Sequence, residues 1–417
     1  FNDKFNYLST SISKLVPQVQ NWKYTPVQDR NSKGVFPYNW FDNFDKLYET
    51  CLPRVSDWFN TVTHTNVDRT PAVELWQREQ FEYFHQFHDY YMITDVLQLA
   101  DIFEEFRQTC LNTFNLDPVY FQGAPSYSWQ LSLQISAEKM FLIQDVNIYK
   151  DIQANIRGGI AQVMHRYVNI ENNPNESILF LDVNSLYSKC MTYKLPSKFI
   201  GISHELPSNW EQLYTGDSSN TALICVDLHY PDHLHDLHTS YPLAPHKYNG
   251  RLCTTFLDKE YYLVHAEALK FYVEEGLIIT KFHYAYIFEQ DYILREYVDN
   301  NIVKRRSTGS PPLKTLYKLL NNSLYGKTCE NKFKYRKFEV HEEEEGVHGK
   351  INSFLSDATN WLEMENKVLI ERKIKKVILD KPIQIGFAIL DLAKIEMYKF
   401  LFEVQRLFKT DVTPLYT

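Results

Sequence analysis

The sequence predicts an α+β protein, and three stretches carry that prediction. The first is a helix with one apolar face, made of Val96, Leu99, Ala100, Phe103, Phe106 and Cys110. The second helix begins at a Pro-Pro pair, which the first helical turn tolerates, and its apolar face consists of Leu313, Leu316, Tyr317, Leu320 and Leu324. The third stretch, residues 177–181 (SILFL), predicts a short buried strand. The 417 residues suffice for two or three domains of roughly 150 residues each.

Three further stretches complete the predicted elements. Residues 341–349 contain four glutamates and two glycines, which predict an exposed loop. Residues 383–408 are largely apolar and predict a strand followed by a helix, and residues 413–417 predict another strand.

Net charge does not decide whether the chain binds nucleic acid. The formal charge is −8, whereas nucleic-acid-binding proteins usually present a basic surface. Residues 291–340, however, hold eleven Lys and Arg against five Asp and Glu. A site for Mg²⁺ also needs carboxylates, which lower the net charge. The 29 Tyr and 27 Phe suit core packing, and stacking on bases or sugars is the alternative use of such rings.

The six cysteines are scattered along the chain, and no two lie within four residues of each other. This spacing excludes a zinc ribbon and is unlike a disulfide framework, so we expect a reducing compartment. No apolar run approaches the ~18 residues that span a bilayer, and the N-terminus has no signal-peptide pattern, so we expect no membrane partner. The chain opens on Phe1 rather than Met, as an internal fragment would.

Asp182 directly follows the predicted strand 177–181. A carboxylate at a strand end can hold a metal ion rigidly, although a polar strand end or a helix N-cap looks the same locally. Residues 182–187 (DVNSLY) match the pattern D-x-x-S-L-Y, and Ser188 stands where a proline usually follows. This pattern resembles a polymerase motif of the family B DNA polymerases.

A second motif lies on the helix that begins at residue 311. Its polar stripe consists of Lys314, Lys318, Asn322 and Tyr325, at spacings that align along one side of a helix. Residues 318–326 (KLLNNSLYG) match the family B pattern K-x-x-x-N-S-x-Y-G at all five specified positions. The alternative is a solvated lysine face, but Asn, Ser, Tyr and Gly are poor choices for a plain surface helix.

These two motifs, 136 residues apart, identify the chain as similar to family B DNA polymerases of the protein-primed branch. Residues 121–129 and 381–400 look like the polymerases of self-synthesising DNA transposons and related animal viruses, so the resemblance covers essentially the whole chain. It implies two Mg²⁺ ions, which stabilise the attacking and leaving oxygens of phosphoryl transfer. Asp182 would bridge these ions as the catalytic carboxylate, and the carbonyl of Val183 would bind the nucleotide-side ion.

The resemblance also implies a nucleotide site. The ring of Tyr187 would lie under the incoming sugar and exclude a ribose 2′-OH. Lys318 would contact the triphosphate, and Arg306 would add a second cation from the partner helix of a hairpin, although its basic triplet 304–306 could equally be a solvated patch. The other implied nucleotide-binding residues are Ser185, Leu186, Asn322 and Tyr325, and Ser323 and Gly326 would contact DNA.

Arg157, Gly158 and Gly159 resemble the Y-x-G-G element of the protein-primed branch, which contacts template DNA between the exonuclease and the polymerase regions. Ile156 replaces the tyrosine of that element, and a plain turn is the alternative reading of a Gly-Gly pair.

Tyr91 and Asp95 match the third exonuclease motif, Y-x-x-x-D. The first two motifs, D-x-E and N-x-x-F-D, find no match in residues 1–90. Asp95 would therefore lack the other carboxylates that hold the exonuclease metals, and we expect no proofreading activity.

The implied fold is a partial RNase H-like exonuclease domain, then a right-hand palm with helical fingers, and no thumb. The predicted division is an exonuclease-like part at 1–130, a linker and first palm part at 131–200, an insertion resembling the priming-protein-binding region at 201–290, fingers at 291–330, and a second insertion with the rest of the palm at 331–417. The chain ends at Thr417, where the next residue of the motif Y-x-D-T-D-S would be the second catalytic Asp. We therefore expect a fragment of a longer gene, inactive alone, or else a naturally split or decayed copy.

The predicted function is a DNA-directed DNA polymerase core for protein-primed replication, with Mg²⁺ as cofactor. Its predicted partners are DNA primer-template, dNTPs and a terminal priming protein. We expect an intracellular location, in the nucleus or at a viral replication site. The alternatives are a non-catalytic module that binds DNA or a priming protein, and a free-standing nuclease of the RNase H-like fold.

Overall fold

A computed structural model describes residues 6–8, 10–171, 176–309, 311–342, 347–353, 357–408 and 412–417. Contacts divide the chain into two compact units. The first consists of Phe1–Tyr127 and Arg305–Leu319, and the second of Ser128–Lys304 and Leu320–Thr417.

Helices and short strands alternate irregularly along the chain. The α-helices are α1 Ile12–Leu15, α2 Thr70–Glu79, α3 Phe84–Phe114, α4 Ala124–Ser136, α5 Val146–Asn155, α6 Leu186–Met191, α7 Trp210–Tyr214, α8 Ala266–Glu274, α9 Arg295–Ser307, α10 Pro311–Thr328, α11 Val347–Ile351 and α12 Ile383–Phe408. The strands are β1 Phe59–Asn60, β2 Thr65–Asn66, β3 Leu195–Ser203, β4 Asn220–His229, β5 His246–Tyr248, β6 Arg251–Cys253, β7 Lys259–His265, β8 Ile278–Asp291, β9 Arg336–Glu342, β10 Ala358–Met364 and β11 Lys367–Lys373.

The long helix α3 organises the first unit. Its N-terminal part contributes Phe84 and Phe87 to an aromatic core with Phe36 and Trp58. Further along, the buried carboxylate of Asp101 accepts backbone N–H groups of Lys23 and Thr25 at 2.7 and 2.8 Å. These bonds fasten an irregular segment to the helix, because a buried carboxylate is stable only when its oxygens are hydrogen-bonded.

The predicted helix around residues 96–110 is confirmed as part of α3, and its predicted apolar face is buried in part, at Phe106 and Cys110. Val96 is 58% exposed, whereas Gln98 and Asp101 are buried. The apolar pattern failed here because two polar side chains of α3 bind the backbone of the irregular segment. Apart from β1 and β2, the described part of the first unit contains no strand, so an RNase H-like fold for this unit stays a prediction.

A four-stranded antiparallel sheet forms the centre of the second unit. Its strand order is β3-β8-β4-β7. Helices α5 and α12 contribute Ile152 and Phe387 to a core that also contains Leu223 and Phe288 from the sheet. The predicted domain boundaries at 200 and 290 fall inside β3 and β8, so strands from both sides of each boundary share this one sheet.

Helix α12 is buried on all sides over its first three turns. It packs against α5, α6, α8, β3 and β7. Near its start, a Cβ atom at Gly386 would lie 2.6 Å from the Cβ of Cys329, just beyond the end of α10. Glycine is needed at this position because the chain at Thr328 and Cys329 passes too close for any side chain.

Two predicted elements are wrong. Residues 177–181 form no strand and are exposed, Leu179 and Phe180 to 76% each. A strand needs a hydrogen-bonded neighbour, and the described residues supply none to this segment. The predicted strand at the start of 383–408 is instead the first part of α12, because a helix buried all around has the same continuous apolar pattern as a buried strand.

The remaining predicted elements are reproduced in part. The helix that begins at Pro311 is α10, and four of its five predicted apolar residues are buried. Residues 413–417 contribute an isolated antiparallel bridge, Val163 to Tyr416, rather than a full strand. The predicted loop 341–349 includes the end of β9 and the start of α11, and residues 343–346 lie outside the described part. No described helix combines the length and apolar character needed to cross a membrane.

Lys259, at the start of β7, is 4% exposed and gives a testable pH dependence. Burial lowers the pKa of Lys259 to about 8, against the opposing charge of Asp258. The unfolded chain keeps an ordinary lysine pKa near 10.4, so it binds more protons than the folded chain between these two values, and the free energy of unfolding rises with pH there. Relative to Lys259→Met, the wild-type protein should gain about 2 kcal/mol between about pH 7 and pH 9.5 in denaturant titrations. A parallel pH dependence of the two proteins would contradict this assignment.

Candidate functional site

Asp182 lies at the surface of the second unit, in the loop that leads into α6. Its carboxylate makes no ion pair or hydrogen bond with the part of the chain that the structure describes, and Val183 beside it is half-buried. Phe180, two residues earlier, lies 6.3 Å from Tyr416 between ring centroids. An exposed carboxylate without a cationic partner remains available to a metal ion.

A tight turn at Ser185 starts helix α6. Ser185 has a φ of +54°, in the left-handed region, and its carbonyl accepts the N–H of Lys189 at 2.9 Å. Ser188 and Cys190 are buried on the inner side of α6. Leu186 and Tyr187 are half-buried. The buried Ser188 explains why the helix accepts a residue other than proline here, since a small side chain fits the packed face.

Tyr187 stacks on Tyr325 of α10. This contact brings the motifs at 182–187 and 318–326 together. Their ring centroids are 4.1 Å apart and their planes differ by 9°. Burial raises the pKa of Tyr325, and the neighbouring Tyr187 raises it further. A Cβ atom at Gly159 would lie 2.9 Å from the hydroxyl of Tyr187. Three motifs that are far apart in sequence therefore meet at one point of the second unit.

The buried side chain of Arg157 fixes the turn at residues 157–159. The guanidinium of Arg157 is 3.8 Å from the ring centroid of Tyr262 and donates to the carbonyl of Leu263 at 2.7 Å. Arg157 is only 7% exposed, whereas Gly158 and Gly159 are exposed. Its guanidinium thus supports the turn, and the contacts of Arg157, Gly158 and Gly159 with DNA stay predictions.

A cleft of about 300 Å³ opens beside this turn. Arg157, His246, Lys247 and Lys259 contribute basic groups to its wall, and Asp258 and Glu260 contribute carboxylates. The pKa of His246 is lowered by burial and then by the charges of Lys259 and Arg157. The two charges that act on His246 are cations, and the carboxylates of Asp258 and Glu260 lie in the same wall.

The second motif presents its polar side as predicted. On α10, Asn322 and Gly326 are exposed and Ser323 is half-buried. The adjacent Asn321 is buried and accepts the side-chain N–H of Asn301 from α9 at 2.8 Å. Sequence reasoning missed Asn321, because two consecutive asparagines give no sign of which one faces the core.

Arg306 and Lys318 belong to the first unit, and both side chains are exposed. Neither makes an ion pair within the described ranges. Both cations are therefore accessible, and their contact with a triphosphate stays a prediction.

Tyr91 and Asp95 lie one turn apart on α3 in the first unit. The Tyr91 hydroxyl is 2.6 Å from that of Tyr38, and burial, followed by this contact, raises the pKa of Tyr91. Asp95 pairs with Lys33 at 3.2 Å. No other carboxylate joins Asp95 in the described contacts, and an exonuclease role for the two residues stays a prediction.

The structure contains only part of the predicted metal site. The described residues contain no group of three or more His, Cys, Asp or Glu side chains that could hold a metal ion. Asp182 and the Val183 carbonyl are oxygen donors of the type Mg²⁺ prefers, but two donors are fewer than its octahedral shell requires.

Sequence reasoning also missed a buried ion pair on α12. Lys394 and Asp391 are 3% and 4% exposed, and their charged groups are 3.2 Å apart. Charged residues three apart on a helix usually mark a solvated surface, so no sequence signal distinguished this pair.

Comparisons with known proteins agree with these motifs. A family model described as DNA polymerase type B, organellar and viral, matches residues 1–406. No curated protein matches the chain in sequence at a significant level.

Solved structures of phi29 DNA polymerase share the fold. The complex with primer-template DNA and incoming nucleotides matches with a TM-score of 0.58 at 15% identity. The orthorhombic crystal form matches with a TM-score of 0.56 and the complex with single-stranded DNA with 0.54, both at 14% identity. Each match covers 100% of this chain and 58% or 59% of the phi29 chain. The chain thus spans about three-fifths of the length of that polymerase.

The family match covers nearly all of the sequence and the structural matches cover all of it. Together they confirm the resemblance that the motifs at 182–187 and 318–326 predicted. The chain belongs to the organellar and viral family of type B DNA polymerases.

Proposed function

We propose that this chain is the core of a DNA-directed DNA polymerase that replicates DNA from a protein primer. The observation that carries the proposal is the meeting of Tyr187, Tyr325 and Gly159 within the second unit. Each comes from a different polymerase motif, and a shared nucleotide site would account for their convergence.

Each residue has a role in template-directed nucleotidyl transfer. The aromatic face of Tyr187 supports the incoming sugar, and its stack with Tyr325 limits the space for a 2′-OH. Lys318 and Arg306 supply exposed cations for the triphosphate. Asp182 and the Val183 carbonyl would contribute to the Mg²⁺ site, whose ions neutralise charge on the reacting phosphate when bound.

The proposed substrates include a DNA primer-template. The cleft beside residues 157–159 has basic groups on its wall that suit a backbone phosphate. In this proposal the four-stranded sheet belongs to the palm, α9 and α10 form the fingers, and residues 201–290 contact a priming protein.

A non-catalytic module that binds DNA or a priming protein is the second candidate. One observation favours it: the described residues contain no group of three or more His, Cys, Asp or Glu side chains that could hold a metal ion, at Asp182 or elsewhere. The two functions differ in nucleotide incorporation, which only the polymerase performs.

The test uses the full-length gene product that contains these residues, supplied with primer-template, Mg²⁺ and either dNTPs or ribonucleotides. Tyr187→Val should raise ribonucleotide incorporation relative to dNTP incorporation by about tenfold, because the smaller side chain opens space for the 2′-OH. Tyr193→Phe is the matched control, since Tyr193 lies just after α6 and its hydroxyl bonds to Glu396 instead.

Each outcome of this test decides between the candidates. Primer extension that prefers dNTPs, with the preference reduced only in Tyr187→Val, supports the polymerase. Binding of primer-template without extension supports the non-catalytic module. Extension with unchanged preference in Tyr187→Val would show that another residue excludes ribonucleotides.

A further inference from the structure

We infer that Lys394, together with Asp391, is a positioning residue for sugar selection: its buried ammonium fixes the turn 157–159, and that turn fixes the hydroxyl of Tyr187. The inference rests on the proposed function, because it assigns Lys394 an effect on the same nucleotide site. Lys394 itself lies beneath this turn and does not touch the nucleotide.

The ammonium of Lys394 has all three of its N–H donors engaged. It donates to the carbonyls of Arg157 and Leu390, each at 2.9 Å, and to the carbonyl of Gly158 at 3.5 Å. It also forms an ion pair with the carboxylate of Asp391 at 3.2 Å. A charged donor bound to a backbone carbonyl is stronger than a neutral one, so the position of Arg157 relative to α12 is well defined.

Asp391 extends the same connection to the central sheet. Its second carboxylate oxygen accepts the backbone N–H of His265 at 3.0 Å, where β7 ends and α8 begins. The side chain of Arg157 binds the carbonyl of Leu263, two residues earlier on β7. The turn, the strand and α12 are therefore joined by one chain of buried hydrogen bonds.

Stability alone does not explain this pair. Removing two charges from water costs several kcal/mol, and packed apolar residues often replace a buried ion pair without loss of stability. Only a donor can bind the Arg157 carbonyl, however, and an apolar side chain would leave it unpaired. The bond to the Arg157 carbonyl therefore places the turn, in addition to any effect on stability.

The position of the turn affects Tyr187 through the close approach of Gly159 to the Tyr187 hydroxyl. The Cβ position of Gly159 is 2.9 Å from the Tyr187 hydroxyl, whereas a Cβ at Gly158 would meet no atom within 4 Å. Tyr187 cannot retreat freely, because its ring stacks on Tyr325 at 4.1 Å. A displaced turn therefore changes the space that Tyr187 leaves for the sugar.

The experiment compares two variants of the full-length polymerase, Lys394→Met and the double variant Lys394→Met with Asp391→Asn. The single variant leaves Asp391 buried without a counter-charge and should have a lower melting temperature than wild type. The double variant should recover most of this decrease in melting temperature. Both lack the bond to Arg157, so both should show a ratio of dNTP to ribonucleotide kcat/KM lowered by about fivefold to tenfold. Recovery of the ratio together with stability in the double variant would show that Lys394 only stabilises the fold.

A glycine pair tests the same connection without touching the buried charges. Gly159→Ala should lower the dNTP preference by about threefold, because its Cβ displaces the Tyr187 hydroxyl, and Gly201→Ala, on β3 with open space at its Cβ, should leave it unchanged. An unchanged preference in Gly159→Ala overturns the inference, whether or not the Lys394 variants fold. A wild-type enzyme that extends no primer would instead refute the proposed function, so the two failures are distinguishable.

Discussion

Asp182→Ala should abolish nucleotide incorporation by the full-length gene product that contains these residues. Asp182 is the exposed carboxylate at the start of the D-x-x-S-L-Y motif, and it has no partner among the described residues. Losing one member of a set of catalytic groups commonly costs several orders of magnitude, so we expect incorporation to fall by about a thousandfold or more. Single-turnover primer extension at saturating dNTP measures this loss directly.

Asp232→Ala is the matched control for this prediction. Its side chain is 100% exposed, it lies in the same unit, and it belongs to none of the motifs. Both variants should melt at the wild-type temperature, because neither carboxylate supports the core. Residual activity of Asp182→Ala within about tenfold of wild type would remove Asp182 from the reaction.

Lys318→Ala should weaken the use of dNTPs far more than the binding of duplex DNA. Its ammonium is exposed on α10, in the first position of K-x-x-x-N-S-x-Y-G. Loss of a charge-assisted contact to a triphosphate should lower kcat/KM for dNTPs by about a hundredfold. Steady-state extension kinetics give this value, and a salt titration of primer-template binding gives the comparison.

Lys314 provides the control on the same helix. It is exposed and lies one turn before Lys318, so Lys314→Ala removes an equal charge from the same stripe. We expect a clearly smaller effect on kcat/KM. Equal losses in both variants, or an equal loss of duplex binding, would indicate a general attraction for DNA instead of a triphosphate contact.

The sequence predicted the family of the chain better than its architecture. Residues 182–187 and 318–326 were found because a motif fixes residue types at exact spacings, and the family match confirms the family that they indicated. The stack of Tyr187 on Tyr325 was not predicted, since no local pattern reports which distant rings meet.

The elements that the sequence predicted incorrectly have related physical explanations. Residues 177–181 read as a strand because they are apolar, but pairing with a neighbour decides whether a strand forms, and pairing is not a local property. The first part of α12 read as a strand because burial on every side removes the helical period from the sequence. Val96 was expected on the buried face and is exposed, whereas the polar Gln98 is buried and donates to the carbonyl of Asp29 at 2.7 Å.

The stacked tyrosines also determine how a nucleotide could enter. A flat group inserted between two rings needs about 7 Å between them, twice an ordinary carbon contact, and these centroids are 4.1 Å apart. Thr328 and Cys329, at the end of α10, also lie close against α12 at Gly386. A nucleotide base that entered between the rings would require a rotamer change of Tyr187 or Tyr325 and would cost about 1 kcal/mol of ring attraction. A nucleotide that approached along the ring edges would require neither.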